Sequence, residues 1–226
     1  MERAKYIGLM KNVLVFGASR GLGCALTQEI YKQFPECRFL LIARTTNDVI
    51  PEHVGRWAQM DLSRPSSQAS ACEEMIVFQP SHVIYAAGGG PYGLFEAKAI
   101  DSHLWATEVN YLAVLRILHF ALQARKKMPG LKQFAVVGSA VAGKAPDPMA
   151  SSYAAAKHAL RGLIGSVALE KPWFDVKLYE PGYMDTDLLP KNSWPRTKGI
   201  VSSPNDEAKK MLHFLQAKTT WDGGLA

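Results

Sequence analysis

The sequence predicts an α/β protein of one domain, a doubly wound parallel sheet flanked by helices on both faces. Three observations carry this. Short apolar runs alternate with segments of 3.6-residue periodicity from Asn12 to about Ala217, without internal repeats or a linker. The first apolar run enters a glycine-rich turn that opens directly into a helical pattern. Gly17, Arg44, Asp61, Gly88, Ser139 and Pro181 fall where successive strands end, the edge of such a sheet at which ligands bind. At 226 residues the chain is long enough for a full core.

Asn12-Val-Leu-Val-Phe16 is the first strand. Gly17-Ala-Ser-Arg-Gly-Leu-Gly23 follows, and Leu22, Ala25, Leu26 and Ile30 mark one face of a helix running to about Phe34. Strand, glycine turn and helix are the context of a phosphate-cradling loop. Gly17 permits the tight turn, Gly21 withholds a side chain where a pyrophosphate approaches backbone amides, and Gly23 lets helix and strand pack closely. Ser19, Arg20 and Leu22 complete the expected contacts of this loop with a dinucleotide. Cys37 to Ala43 is the second strand. An acidic residue at its end would bond an adenosine 2′-hydroxyl; Arg44 stands there instead, with Arg20 close by and no acidic partner for either. Two such guanidinium groups suit a 2′-phosphate and favour NADP(H) over NAD(H).

The third strand, Gly55 to Met60, ends in Asp61-Leu62, where Asp61 is placed to bond an adenine amino group or to cap a helix. That helix spans about Ser66 to Phe78. The fourth strand, His82 to Ala86, runs into Ala87-Gly-Gly-Gly-Pro91, where the backbone must pass something closely, in this fold the cofactor near its nicotinamide ribose. One long helix is expected from about Asp101 to Lys127, a stretch without Pro or Gly. Asn110 inside it is either a satisfied core amide or part of a site. The fifth strand, Phe134 to Val137, leads to Ser139, and a loop marked by Gly143, Pro146 and Pro148 precedes an Ala-rich helix. The sixth strand, Trp173 to Tyr179, leads to Glu180-Pro181-Gly182, and a last helix spans about Pro204 to Ala217.

Tyr153 and Lys157 lie four residues apart and share one face of the Ala-rich helix. An ammonium beside a phenol favours the phenolate and draws its pKa from about 10 toward neutrality, so the phenol can give or take a proton. Ser139, at a strand end, is placed to bond the same substrate oxygen. Alone, such a pair is a common coincidence; the strand-end setting singles it out.

Composition excludes other classes. The chain is 48% hydrophobic and 20% charged, as in ordinary globular proteins. Its formal charge of +6 is spread over scattered residues, and the densest cluster, Arg125-Lys126-Lys127, closes a helical pattern, so no nucleic-acid partner is expected. Cys24, Cys37 and Cys72 form no CxxC, and the six histidines show no ligand spacing, so neither metal nor disulfide is expected. Free thiols, no signal-peptide pattern and no apolar run of membrane-spanning length suggest a cytoplasmic protein without a membrane partner.

Over roughly residues 10 to 217 the chain resembles the short-chain dehydrogenase/reductase family. The motifs, in order, are Gly17/Gly21/Gly23, Asp61-Leu62, Ala87-Gly88, Asn110, Ser139, Tyr153-x-x-x-Lys157 and Pro181-Gly182. The resemblance implies a single Rossmann-type domain over 1–226 that carries both cofactor and substrate sites. It implies Tyr153 as general acid/base, Ser139 polarising the substrate carbonyl, and Lys157 lowering the Tyr153 pKa while bonding the nicotinamide ribose. Asn110 would hold a water in a proton relay, Thr186 would contact the carboxamide, and Pro181, Gly182 and Met184 would line the cofactor. A homodimer or homotetramer, paired through the helices of Asn110 and Tyr153, is implied as well.

The chain departs from the family in three places. Phe16 replaces a Thr, and Tyr85-Ala86-Ala87-Gly88 replaces Asn-Asn-Ala-Gly, so the polar tie between first and fourth strands is gone and apolar packing of Phe16 is expected instead. The seventh strand before Asp222-Gly-Gly224 is short or missing. The segment 187–203 makes a short lid with Leu188, Leu189 and Trp194, over walls formed by Val141, Tyr92, Tyr183, Met184 and Leu188. The expected activity is NADP(H)-dependent interconversion of an apolar ketone or aldehyde with its alcohol. Two rivals are an NADP(H)-binding regulator without chemistry, which would not need Ser139, Tyr153 and Lys157 together, and a nucleotide-sugar epimerase or dehydratase, for which the short C-terminal region leaves little room.

Overall fold

The computed structural model describes residues 10–48, 50–143 and 148–217. In chain order the elements are β1 (Asn12–Phe16), α1 (Gly21–Gln33), β2 (Arg38–Ala43), β3 (Gly55–Gln59), α2 (Pro65–Phe78), β4 (His82–Tyr85), α3 (Ile100–Thr107), a π turn (Glu108–Leu112), α4 (Ala113–Gln123), β5 (Gln133–Val137), α5 (Ser151–Leu169), β6 (Asp175–Tyr179), the short α6 (Trp194–Thr197) and α7 (Pro204–Gln216). The strands form one six-stranded parallel sheet in the order β3-β2-β1-β4-β5-β6.

Each central strand feeds two apolar cores by the two-residue alternation of its side chains. Leu14 and Phe16 of β1 enter one core with Leu40, Ile42, Val83, Tyr85, Phe134 and Val136. Val13 and Val15 enter the other with Phe39, Leu41, Ile84, Ala135 and Val137. Helices α2, α4 and α5 close the first core through Met75, Ile117 and Leu160, and α1 and α7 close the second through Leu26, Ile30, Met211 and Leu212. Burial on both faces explains why these strands appear in sequence as unbroken apolar runs.

Four expectations are corrected or lie out of reach. Among the described residues no helix separates β2 from β3, so the alternation of strand and helix is incomplete. The helix expected from Asp101 to Lys127 is α3, the π turn and α4, ending at Gln123, with Arg125 to Lys127 in turns. The interruption falls at Asn110. Its Nδ2 donates to the Ala106 carbonyl at 2.6 Å, the acceptor its own backbone N–H would take in a regular α-helix. The sixth strand starts at Asp175, because Trp173 and Phe174 turn away to pack on α4 and β5: Trp173 Nε1 donates to the Leu122 carbonyl at 3.0 Å, and Phe174 stacks on Phe134 at 6.5 Å. Pro146, the seventh strand and Asp222-Gly-Gly224 lie outside the described residues.

The seam between β1 and β4 is aromatic. Phe16 and Tyr85, register partners across it, have ring centroids 5.3 Å apart. The expected apolar packing of Phe16 is therefore present, supplied by Tyr85. The Tyr85 hydroxyl also finds a partner, donating to the Val109 carbonyl in the π turn at 2.7 Å. Tyr85→Phe keeps the ring but strips that carbonyl of a donor in a fully buried place. The expected loss is about 1–2 kcal/mol, read from the urea midpoint at constant m-value.

Candidate active site

The strand order reverses between β1 and β4, and a crevice of about 650 Å³ opens there beyond the C-terminal strand ends. Its floor is backbone. Gly17 has φ +82°, and a Cβ on it would lie 2.5 Å from the Ala87 nitrogen. A Cβ on Gly23 would lie 2.3 Å from the Gly17 carbonyl oxygen, so α1 sits against the turn with no side chain between. Helix α1 starts at Gly21 with Arg20 as its N-cap, no side-chain cap and no acidic residue in its first turn. Its first amides and positive dipole end are thus available to an anion.

At one end of the crevice stand Arg44 and Thr45 after β2, and Asp61 and Leu62 after β3. The Asp61 Oδ1 accepts from the Ser63 amide at 3.1 Å and the Ser63 hydroxyl at 2.8 Å. Burial alone would raise its pKa; the Ser63 bonds and the charges of Arg44 and Arg64 outweigh that and hold it below its ordinary value. Arg44 therefore faces an acidic neighbour, contrary to the expectation that it has none. Gln68 ties this end to the π turn, with Nε2 donating to the Leu62 carbonyl at 2.9 Å and to Glu108 at 2.8 Å. Arg116 completes that network through Gln68 Oε1, at 2.9 Å, and through Glu108.

The other end gathers Ser139, Tyr153 and Lys157 on its walls. Ser139 caps the turn Ala140–Ala142, its Oγ accepting from the Val141 amide at 3.3 Å. That bond aims the hydroxyl while leaving its proton for another acceptor. Lys157 lies one turn after Tyr153 on α5, with Nζ 5.4 Å from the Tyr153 ring centroid. Its Nζ donates to the Val137 carbonyl at 2.7 Å, and complete burial pushes its pKa down to about 7. Asn110 clamps the glycine run after β4. Its Nδ2 donates to the Gly89 carbonyl at 2.5 Å and its Oδ1 accepts from the Gly89 amide at 3.3 Å. A Cβ on Gly88 would lie 2.6 Å from Asn110 Oδ1 and 3.6 Å from Lys157 Nζ, so glycine keeps the space between these two groups open.

A stapled segment forms the remaining wall. Arg196, on α6, donates from Nε to the Leu189 carbonyl at 3.0 Å and from Nη2 to the Thr186 carbonyl at 2.9 Å, and it pairs with Asp185. Thr186 is thereby held near the glycine turn, with Cγ2 3.5 Å from where a Gly21 Cβ would be. Ser19, Arg20, Gly21, Leu22, Ala87, Pro181, Gly182, Met184, Thr186 and Leu188 all line the crevice, as do Gly17, Arg44, Asp61, Leu62, Gly88 and the trio above. Gly23 and Asn110 stand behind it. Of the expected walls, Met184 and Leu188 line it; Val141, Tyr92 and Tyr183 do not, Tyr183 packing instead on Trp194 at 5.2 Å. Sequence reasoning missed Trp105 and Asp187 as lining residues, and Arg196 as the staple.

Burial of Lys157 has a sign that can be checked. Its ordinary pKa is 10.5, and in the folded chain it is about 7. Between these values the unfolded chain binds the extra proton, so unfolding takes up a proton and stability rises with pH. Wild type is expected to gain stability over Lys157→Met as pH goes from 7 to about 9.5 in urea unfolding. Parallel curves would refute the buried, weakly basic ammonium.

Comparison with known proteins agrees with this fold. The family model described as short chain dehydrogenase matches residues 11–196. Hydroxysteroid 11-beta-dehydrogenase 1-like protein B of Xenopus laevis is 25% identical over 219 residues, 89% of this chain and 73% of its own. An alcohol dehydrogenase from the archaeon Thermococcus sibiricus, complexed with 5-hydroxy-NADP, has a TM-score of 0.76 at 23% identity, covering 92% of this chain and 91% of its own. A 4-hydroxyisoleucine dehydrogenase complexed with NADH has a TM-score of 0.80 at 20% identity, covering 93% of this chain and 95% of its own. The two structures share the fold, and the family match runs from β1 into α6: the chain belongs to the short-chain dehydrogenase family.

Proposed function

We propose that this protein is an NADP(H)-dependent oxidoreductase interconverting a ketone or aldehyde with its alcohol, with Tyr153 as general acid/base. The observation that carries the proposal is that Ser139 and Tyr153, with Lys157 beneath the phenol ring, line the same crevice as the glycine turn. The crevice suits an extended dinucleotide. Gly17 and Gly88 leave no room for side chains along its floor, and the uncapped start of α1 offers amides to a pyrophosphate. Arg44 at the far end is the group for a 2′-phosphate, and Thr186 and Met184 border the nicotinamide end. The bound cofactor supplies the hydride that adds to the carbonyl carbon in the reducing direction.

The chain's own residues manage the charge and the proton. Ser139 presents its hydroxyl proton to the carbonyl oxygen and stabilises the negative charge that develops there. Tyr153 donates its phenolic proton to that oxygen, completing the alcohol and leaving a phenolate. Lys157, when protonated, stabilises the phenolate electrostatically. A Lys157 pKa of about 7 means its proton is exchangeable at neutral pH, so it can return a proton toward Tyr153. Gly88 leaves the gap between Lys157 Nζ and Asn110 open for the exchange path. The Asn110 side chain holds Gly89 and Ala106, so its part is to keep that path in shape. Met184 and the half-exposed Leu188 at the mouth favour an apolar substrate.

NADPH oxidation with a panel of apolar aldehydes, ketones and quinones tests the reading. Tyr153→Phe is expected to lower kcat/KM by about 10²–10⁴-fold with NADPH still bound. Wild type and mutant equally inactive across the panel, with binding intact, would favour a non-catalytic NADP(H)-binding protein. Arg44→Asp is expected to weaken NADP⁺ binding about 10- to 100-fold, the loss of one charge-assisted contact, while sparing NAD⁺. Unchanged NADP⁺ affinity would remove Arg44 from the 2′-phosphate.

A further inference from the structure

Trp105 is a crevice residue with no part in the proton chemistry, and its ring spans two strand-end turns. On one side the Arg44 guanidinium carbon lies 5.6 Å from the ring centroid. On the other, the ring edge comes so close to the chain after β4 that a Cβ on Gly89 would meet Cη2 at 2.7 Å. The backbone beneath the ring is pinned from both directions. His103, two residues earlier on α3, bonds the Phe95 carbonyl at 3.0 Å and the Ser152 hydroxyl at 2.5 Å. The next carbonyl, Ala106, accepts from Asn110 Nδ2 at 2.6 Å. The indole is therefore a half-buried surface on a pinned stretch of backbone, against Gly89, whereas Arg44 is an exposed, many-jointed side chain at the end of β2.

An exposed arginine loses rotamer freedom when it grips a phosphate, and that loss weakens the grip. A guanidinium already stacked on an indole face has lost much of it beforehand, and tryptophan offers the strongest cation–π surface of the side chains. Asp61 acts on Arg44 through its charge but has its own partners, Ser63 and, at 3.6 Å, Arg64. The stacking face left for Arg44 is the indole. We propose that Trp105 is a specificity-determining positioning residue: it shelves Arg44 so that the guanidinium is prearranged for the 2′-phosphate, and so strengthens the preference for NADP(H) over NAD(H). This rests on the NADP(H) reading above.

The test is isothermal titration of NADP⁺ and NAD⁺ into the full chain, without turnover. Trp105→Leu, or Trp105→Met if the leucine variant does not fold, is expected to weaken NADP⁺ about two- to fivefold, the size of an exposed cation–π contact, and to leave NAD⁺ unchanged. Trp105→Phe keeps an aromatic face and should stay close to wild type. In an Arg44→Ala background the same Trp105 substitution should have no further effect on NADP⁺, because the shelf then has nothing to hold. Equal weakening of both dinucleotides, or an effect that persists without Arg44, would make Trp105 a packing residue and overturn the inference. Tighter binding of both would make the ring an obstruction and overturn it too. If Arg44→Ala leaves the NADP⁺/NAD⁺ ratio unchanged, the NADP(H) reading itself fails; if that ratio falls while Trp105→Leu does nothing, only the shelf fails.

Discussion

Position 17 has no room for a side chain, and the crevice depends on that. The turn after β1 passes so near the turn after β4 that a Cβ on Gly17 would sit 2.5 Å from the Ala87 amide nitrogen. The helix that follows is held by the same rule, since Gly23 meets the Gly17 carbonyl with nothing between. The two chain segments diverge from this contact, and the crevice opens at the reversal of strand order, where parallel α/β sheets bind ligands. Phe16 and Tyr85 fill the seam just below the contact. Where the family resemblance implies two polar partners, two tilted rings in contact leave no donor or acceptor stranded in the core.

Tyr85 carries the consequence further. Its hydroxyl reaches the Val109 carbonyl, inside the π turn where Asn110 commits its side-chain amide to Ala106. The other Asn110 bonds hold Gly89, so the seam, the helix interruption and the glycine run behave as one hydrogen-bonded unit. Lys157 lies against that unit, fully buried, with the Val137 carbonyl as its bond partner. Desolvation brings its pKa close to neutrality, and an anionic ligand entering the crevice would favour the charged form again. Ligand charge and lysine charge are in this way linked through the same crevice.

Much of this was readable in residue order. The glycine spacing at 17, 21 and 23 states a local steric requirement, and Tyr153 and Lys157 are tied by helix geometry alone. Apolar runs located β1, β2, β4 and β5, because strands buried on both faces need no partner to reveal them; the half-exposed β3 left only a weak pattern. Other features could not be read. The interruption at Asn110 depends on which carbonyl its side chain finds, and the start of β6 depends on what Trp173 and Phe174 pack against. Arg196 lies far along the chain from nothing it binds, yet no local pattern marks an arginine that staples the carbonyls of Thr186 and Leu189. Arg44 was legible as a cation at a strand end, while Asp61 and Trp105 as its neighbours were not.

The sequence by itself determined the parallel α/β architecture, the glycine turn and the Tyr–Lys pair, because each follows from backbone sterics or from the period of a single element. Tertiary structure alone decided how these parts act on one another: that Lys157 is desolvated, that Asn110 holds Gly89, and that the indole of Trp105 lies under Arg44. Burial and through-space contact depend on which distant segments meet, and residues 44 and 105 become neighbours only when β2 and α3 have both docked on the sheet.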